Sequence, residues 1–586
     1  MKTIERLIPL ATWLVIGMAA FLLVHYKFEF HFYYAEQLKL FLYNKAFLSD
    51  LFFSFGGVAE LTGRWLLQFY IHPKIGVLIT TAILLSVGML MNGIAKKINR
   101  NVSLILIPLL TAIFIFFLHL NHNYYIAGTM AYAFALAVFL IYLHANQLVV
   151  KIITSTLFTC LLFWWAGSVA FLFAVTIGLW QLLTDRKQVL QALVPLFVVI
   201  ILAYVSVRLA WVGNYKQIFM PTLYFHPKLT PPTIIYFPWG ILLLLVVVSY
   251  MLRNLKISRK FQYAVFVCQI IITPVIVYYL IPAYGQLPST EYKKMDYYVR
   301  MERWNDLVEE SRKPIANYLH AYYLNIALME TGQLGEQFLR FDQKGIRGLV
   351  PTLDKGFPTL IILNELYFTL GDIAASQKFA FESNLTISNN GSPRLYKRLV
   401  QTSLINGEYP VAEKYIKLLE QTHSYKKWAT EQRRFLYNDK AVEDDSLLGK
   451  KRRGRPVENY LLMANDPIYK TKCLLNADPL NKAAFDYLAS IFLFGKQVPL
   501  FIELVDEYCT TEESLVNLPE RFQEAIIVGN ENNPDAWESY KINPLVVNKY
   551  RSYKQKYLNN KGNPGVVNIL HRDFGTTYWL YFLFNE

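Results

Sequence analysis

Val102-Ser103-Leu104-Ile105-Leu106-Ile107-Pro108-Leu109-Leu110-Thr111-Ala112-Ile113-Phe114-Ile115-Phe116-Phe117-Leu118-His119-Leu120 contains no Lys, Arg, Asp or Glu. An apolar run of about 20 residues, wound as a helix, crosses the hydrocarbon core of a bilayer. Eight further stretches read the same way, at roughly 7–25, 75–94, 126–143, 148–165, 168–183, 190–212, 234–252 and 262–283, the sixth in chain order being short. The composition agrees: 54% hydrophobic, 16% aromatic and 17% charged residues, with mean hydropathy +0.27. These values exclude an ordinary soluble protein and a disordered or collagen-like chain. The first stretch follows Lys2 and Arg6 as a signal-peptide core would, but its length and the spans after it predict an uncleaved anchor.

Charge divides the 586 residues in two. Residues 1–284 hold 20 Lys and Arg against 6 Asp and Glu, and residues 285–586 hold 38 against 37. The basic excess therefore lies between apolar segments and orients them, rather than forming a nucleic-acid surface. With the N-terminus in the cytoplasm, Lys96, Lys97, Arg100, Lys151, Arg186, Lys187, Arg253, Lys256, Arg259 and Lys260 all fall on short inner segments with Lys2 and Arg6. That pattern predicts an odd number of spans and an extracytoplasmic tail.

The tail, 285–586, carries short amphipathic units. Leu404-Ile405-Asn406-Gly407-Glu408-Tyr409 precedes Ala412, Tyr415 and Leu418; Leu370-Gly371-Asp372 precedes Ala375, Phe379 and Ala380; Thr331-Gly332-Gln333-Leu334 is a third. Fainter units begin near Met301 and Phe494. A glycine turn with a small residue on the following helix is the mark of a helical hairpin, and the series resembles a degenerate tetratricopeptide array. Lys450-Lys451-Arg452-Arg453-Gly454-Arg455-Pro456 reads as a solvated loop paired with Glu443-Asp444-Asp445, or as a binder of anionic headgroups. Cys160 and Cys268 fall in spans; Cys473 and Cys509 share the tail and could pair if their backbones approach.

Four of the six acids in the membrane half, Glu29, Glu36, Asp50 and Glu60, lie in one segment, an outer loop of about 26–74. Lys27-Phe28-Glu29-Phe30-His31-Phe32 alternates as an extended strand would, placing Glu29 and His31 on one side. From Tyr34 the apolar spacing predicts a helix lying on the membrane surface, ended by Gly56-Gly57, then a short helix with Glu60 and Arg64 paired at i,i+4. Glu36 or Glu29 is the candidate general base or metal ligand, as against a plain polar edge of the surface helix. His31, His119, His122, Trp164, Trp165 and Arg208 are candidate substrate contacts on outer segments, as against an interfacial aromatic belt and a snorkelling arginine. An Arg near the end of a span can grip a phosphate bidentately.

From Phe28-Glu29-Phe30-His31-Phe32-Tyr33-Tyr34-Ala35-Glu36-Gln37-Leu38 through Gly332-Gln333-Leu334-Gly335, the chain resembles a family of uncharacterised bacterial multi-pass membrane proteins with a helical tail. Its layout is also similar to that of the GT-C glycosyltransferases, which use polyprenyl-phosphate carriers and bear a long first outer loop with a catalytic acid. The sequence departs from them: no two acids are adjacent in the first loop, Trp164-Trp165 is followed by Ala166, and no Asp-x-Asp motif lies near the membrane. The resemblance implies an all-α polytopic bundle of about nine spans (1–284) and a soluble tetratricopeptide-like domain (285–586) in a bacterial inner membrane. It further implies a glycosyltransferase acting on a polyprenyl-phosphate-linked sugar at the outer leaflet. Glu36 or Glu29 would activate the acceptor, Arg208 or a divalent cation would hold the carrier phosphate, and the histidines would line the cavity. The alternative is a membrane-anchored scaffold whose tail binds envelope proteins; a transporter ranks below both, since apart from Arg208 and Lys151 the spans lack charges for a relay or ion path.

Overall fold

The computed structural model describes residues 2–184, 193–315, 317–351, 356–387, 391–456 and 466–584, and the side chains of the first helix from Ala11 onward. Asp185, Arg186 and Lys187 lie outside the described residues, as do the side chains of Lys2 and Arg6. The described residues are all-helical and contain no β-strand. They divide into two compact units: 1–293 with 421–426, and 294–420 with 427–586.

Among the described residues, the main helices of the first unit are α1 (Lys2–Glu36), α2 (Lys45–Phe52), α3 (Gly57–Leu67), α4 (Pro73–Ile98), α5 (Leu106–Leu120), α6 (Ile126–Tyr142), α7 (Leu148–Trp165) and α8 (Val169–Thr184), then Val194–Arg208, Phe237–Leu252 and Arg259–Leu280. Each predicted apolar stretch contains a helix among its described residues; residues 190–192 of the seventh lie outside them. Among the described residues, five segments are long and apolar enough to cross a membrane: Ala11–Glu36, Pro73–Ile98, Leu148–Trp165, Thr233–Leu252 and Arg259–Gly285. Four others, Leu106–Leu120, Ile126–Tyr142, Val169–Thr184 and Val194–Arg208, are shorter apolar helices.

Helix α1 packs along α4, and α4 against α5 and α6. Gly88 makes the first contact possible: a Cβ there would lie 2.9 Å from the Trp13 ring, so only hydrogen admits the indole. Val24, Phe28 and Phe32 recur every four residues on α1 and enter one core with α4–α8.

The reading of 27–32 as an extended strand is corrected here. No Gly or Pro occurs between Met18 and Phe55, so the helix begun in the first apolar stretch runs on to Glu36. Its core stripe is four residues apart, not two. The long loop correspondingly shrinks to 37–72. The predicted surface helix from Tyr34 is reduced to α2, capped by Asn44, whose side chain accepts from Phe47 N at 2.8 Å.

The second unit consists of helices joined by tight turns. Phe357–Leu370 and Ile373–Thr386 meet at Gly371 (φ 95°), and Pro393–Asn406 and Tyr409–Leu419 at Gly407 (φ 76°). Ala375 and Ala412 are buried where the second helix of each pair approaches the first. A buried ion network ties neighbouring pairs: Arg394 reaches Asp296 at 2.7 Å and Glu365 at 2.8 Å, while Arg398 takes the other oxygen of Glu365 at 2.5 Å. The basic run around 450 is helical (Leu448–Arg453), not a loop. Arg452 donates to Leu404 O (2.7 Å) and Ile405 O (3.1 Å), and Lys451 to Thr369 O (2.8 Å). These carbonyls lie at helix ends, where intrahelical donors run out; Leu404 O also accepts from Gly407 N at 3.2 Å, and the cations complete the hydrogen bonding and favour the helix dipole. All four cysteines are free thiols.

Candidate functional site

One end of the first unit gathers its loops. The 121–125 turn pairs with 224–226, through Tyr125 N to Tyr224 O and His226 N to Asn123 O, both 2.9 Å. Gly56 N donates to Trp164 O at 2.9 Å, bringing the start of α3 to the end of α7. Residues 421–426, far along the chain, belong to this unit. Gln421 O accepts from Tyr43 N (2.7 Å), and His423 N donates to the Gln68 side chain (2.9 Å).

Inside this end lies a charged triad. Lys39 Nζ is 2.5 Å and Arg64 Nε 2.7 Å from the same oxygen, Glu60 Oε1. The spacing of Glu60 and Arg64 on α3 makes their contact, and Lys39 arrives from the chain just past α1. Lys39 and Arg64 are 6% and 3% exposed. Burial pulls the Lys39 ammonium down to about 8 even though the Glu60 charge opposes the shift. Burial would raise the Glu60 carboxyl, but Lys39 and Arg64 overcome it and hold it at about 2. At neutral pH two cations thus share one carboxylate. Lys39 also sits 3.5 Å from the centroid of the Tyr125 ring. Arg64 Nη1 is buried and makes no hydrogen bond within the protein. A cavity of about 40 Å³ adjoins the triad and is also lined by Tyr70, His119, His122 and Tyr124. It has room for a water; an anion the size of phosphate enters only if the lining side chains give way.

His122 joins this cavity to a second cluster. Its Nε2 lies 3.4 Å from Tyr292 OH. Lys293, 1% exposed, donates to Leu120 O at 2.8 Å and lies 3.4 Å from His31 Nδ1. Among the described residues no carboxylate pairs with Lys293. Burial therefore lowers its ammonium to about 7, and burial followed by the Lys293 charge holds the His122 imidazole well below its usual range. The cluster supplies bases that can be uncharged near neutral pH.

The sequence-derived candidates separate accordingly. Glu36 is 2% exposed at the end of α1, with Tyr425 OH 3.4 Å from its Oε2. His119 and His122 line the cavity, whereas Glu36 and His31 lie at the same end of the unit without lining it; His119 Nε2 bonds Thr129 Oγ1 at 2.8 Å. Glu29 pairs with His25 one turn back, and on a helix it projects about 200° from His31 rather than beside it. Trp164 packs on Trp211 at 5.7 Å, Trp165 is 41% exposed, and neither lines the cavity. Arg208 is exposed at the end of its helix, 5.5 Å from the Tyr204 ring, whereas Glu36 is buried. Sequence reasoning missed Lys39, Lys293 and Tyr425. A single Lys between Leu38 and Leu40 was the available signal for the first; the other two depend on contacts hundreds of residues apart. Among the described residues no three His, Cys, Asp or Glu side chains converge as metal ligands would.

Neither a curated protein nor a solved structure matches the chain. A family model described as a family of unknown function (DUF6057) matches residues 5–585, and the chain belongs to that family.

Proposed function

We propose that this family member is an integral membrane protein that binds the phosphate of a lipid-linked substrate in the Lys39–Arg64 cavity, whose lining side chains move aside to admit it, and transfers the sugar that the phosphate carries. The observation that carries the reading is the triad: two desolvated cations for one carboxylate, with Arg64 Nη1 unbonded at a cavity wall. An anion balances that charge and takes the spare donor. The layout expected from the sequence, similar to the GT-C glycosyltransferases, supports the sugar transfer. In that reaction an acceptor hydroxyl forms a bond to the anomeric carbon while the bond from that carbon to the carrier phosphate oxygen breaks. Lys39 and Arg64 stabilise the leaving phosphate, replacing Arg208 in that role, and Glu36 or the Lys293–His31 pair takes the hydroxyl proton. A divalent cation could share the phosphate. The site faces the outer leaflet of a bacterial inner membrane, with the N-terminus cytoplasmic and the tail a tetratricopeptide-like domain outside.

The test compares retention of a polyprenyl phosphate and the corresponding polyprenol by the purified full chain in nanodiscs. The phosphate is expected to bind at least tenfold more tightly, and Lys39→Gln with Arg64→Gln to abolish that preference. Equal retention of the alcohol overturns the reading. The paired helices of the second unit favour one other reading, a scaffold whose tail binds envelope proteins. It gains if deleting 427–586 alters the envelope while Glu36→Gln and Lys39→Gln leave envelope glycans unchanged.

A further inference from the structure

A separate and larger cavity, about 300 Å³, opens between α1, α4, the 99–105 turn and the Arg259–Leu280 helix. That volume is at the lower end of the ~300–1,000 Å³ usual for small-molecule sites. Trp13 lines it from α1, Asn92 and Lys96 from α4, Ser103 from the turn, and Arg259 and Gln262 from the last helix. Its walls thus combine two cations with amide and hydroxyl groups above an indole that is 6% exposed.

The rim is fixed by polar latches. Gln269 accepts from Leu106 N (2.9 Å) and donates to Ser103 O (2.8 Å), and Asn101 donates to Arg253 O (2.7 Å). These bonds hold two basic turns together. Segments 96–106 and 253–262 contain Lys96, Lys97, Arg100, Arg253, Lys256, Arg259 and Lys260, and no Asp or Glu. Below the rim the Arg259–Leu280 helix has no buried residue. Its Val267 and Ile271 are 50% and 64% exposed, while Phe266 and Ile270 pack against the Trp13–Ile105–Leu109 cluster. A cationic, hydrogen-bonding mouth therefore continues directly into an open apolar helix side. A free phosphate matches the mouth alone. A phospholipid matches both parts, because its acyl chains lie along the apolar side while its phosphate meets Lys96 and Arg259.

We infer that this cavity is a binding site for the headgroup of an anionic phospholipid. The site is independent of the Lys39–Arg64 cavity and of any transfer there. The experiment uses the purified full chain in mild detergent, read by native mass spectrometry and by thermal unfolding with phosphatidylglycerol, phosphatidylcholine of the same chains, or inorganic phosphate. Phosphatidylglycerol is expected to be retained at least tenfold over phosphatidylcholine and to raise the unfolding temperature, with phosphate giving little of that rise. Lys96→Gln with Arg259→Gln should erase the preference, and Lys97→Gln with Lys260→Gln should keep most of it. Equal retention of the two lipids by the wild-type chain overturns the inference, whatever the variants do. So does a phosphate effect equal to that of the lipid, or a preference undiminished in the Lys96→Gln, Arg259→Gln chain.

Discussion

Lys39 Nζ and Glu60 Oε1, 21 residues apart in sequence, lie 2.5 Å from each other in the interior of the first unit, and Arg64 shares the same oxygen. Removing the carboxylate leaves two buried cations without a counter-charge. Glu60→Gln should destabilise the unit by about 3–5 kcal/mol, and adding Lys39→Met should recover a large part of the loss. Unfolding of both variants in detergent checks this. A double variant no more stable than Glu60→Gln contradicts it.

The same pairing fixes an acid limit. Glu60 is held at about 2, below its ordinary 4.5, so its folded form binds the proton less readily than its unfolded form. Its contribution is present above about 4.5 and is lost as pH falls toward 2. Wild type should lose stability over that window more steeply than Glu60→Gln in parallel unfolding curves.

Lys293 tilts stability the same way in a higher pH window, by shedding a penalty rather than by forming a pair. Its ammonium is lowered to about 7 from 10.5 by burial. Between those values the unfolded chain keeps a proton that the folded chain has released, so stability rises with pH. Wild type should gain on Lys293→Met by about 2.5–3 kcal/mol between pH 6 and pH 9. A difference that stays flat across this interval would show that Lys293 stays charged in the fold.

In the second unit Arg452 binds the terminal carbonyls Leu404 O and Ile405 O and also Asp439 at 2.7 Å. Arg452→Gln should cost about 2 kcal/mol, since charge-assisted bonds to buried carbonyls are lost. Lys450, exposed in the same run, should tolerate Gln within about 0.5 kcal/mol. Equal effects at the two positions would mean that the run acts only through its net charge.

Gly407 occupies φ 76°, and a Cβ added there meets nothing within 4 Å. Gly407→Ala therefore isolates backbone strain from crowding and should cost about 1–2 kcal/mol. Circular dichroism melts of the full chain measure it.

These features differ in how far a linear reading could reach them. Apolar length located the bodies of the helices, because a segment such as 102–120 declares itself without its neighbours. Glycine followed by a small residue located the turns at 371 and 407 for the same local reason. Lys27–Phe32 misled because Phe28, Phe30 and Phe32 satisfy a two-residue alternation, while Val24, Phe28 and Phe32 also satisfy a four-residue one. The helix already running through Val24 decided between them. The i,i+4 contact of Glu60 and Arg64 was legible, but the arrival of Lys39 was not. The bond from Tyr425 to Glu36 spans 389 positions, and no local pattern encodes it. The apolar run around Arg208 allows a phosphate clamp or a snorkelling side chain, and the structure places it exposed at the end of its helix.

Helix α1 is unbroken over 35 residues, roughly 50 Å of rod at 1.5 Å per residue. Trp13 and His31 are 18 positions apart, close to five full turns, so they project from one side of that rod about 27 Å from each other. A roll of the rod about its axis swings both ends in the same sense. The indole and the imidazole therefore keep one fixed angular relation, whatever tilt the rod takes up in a bilayer.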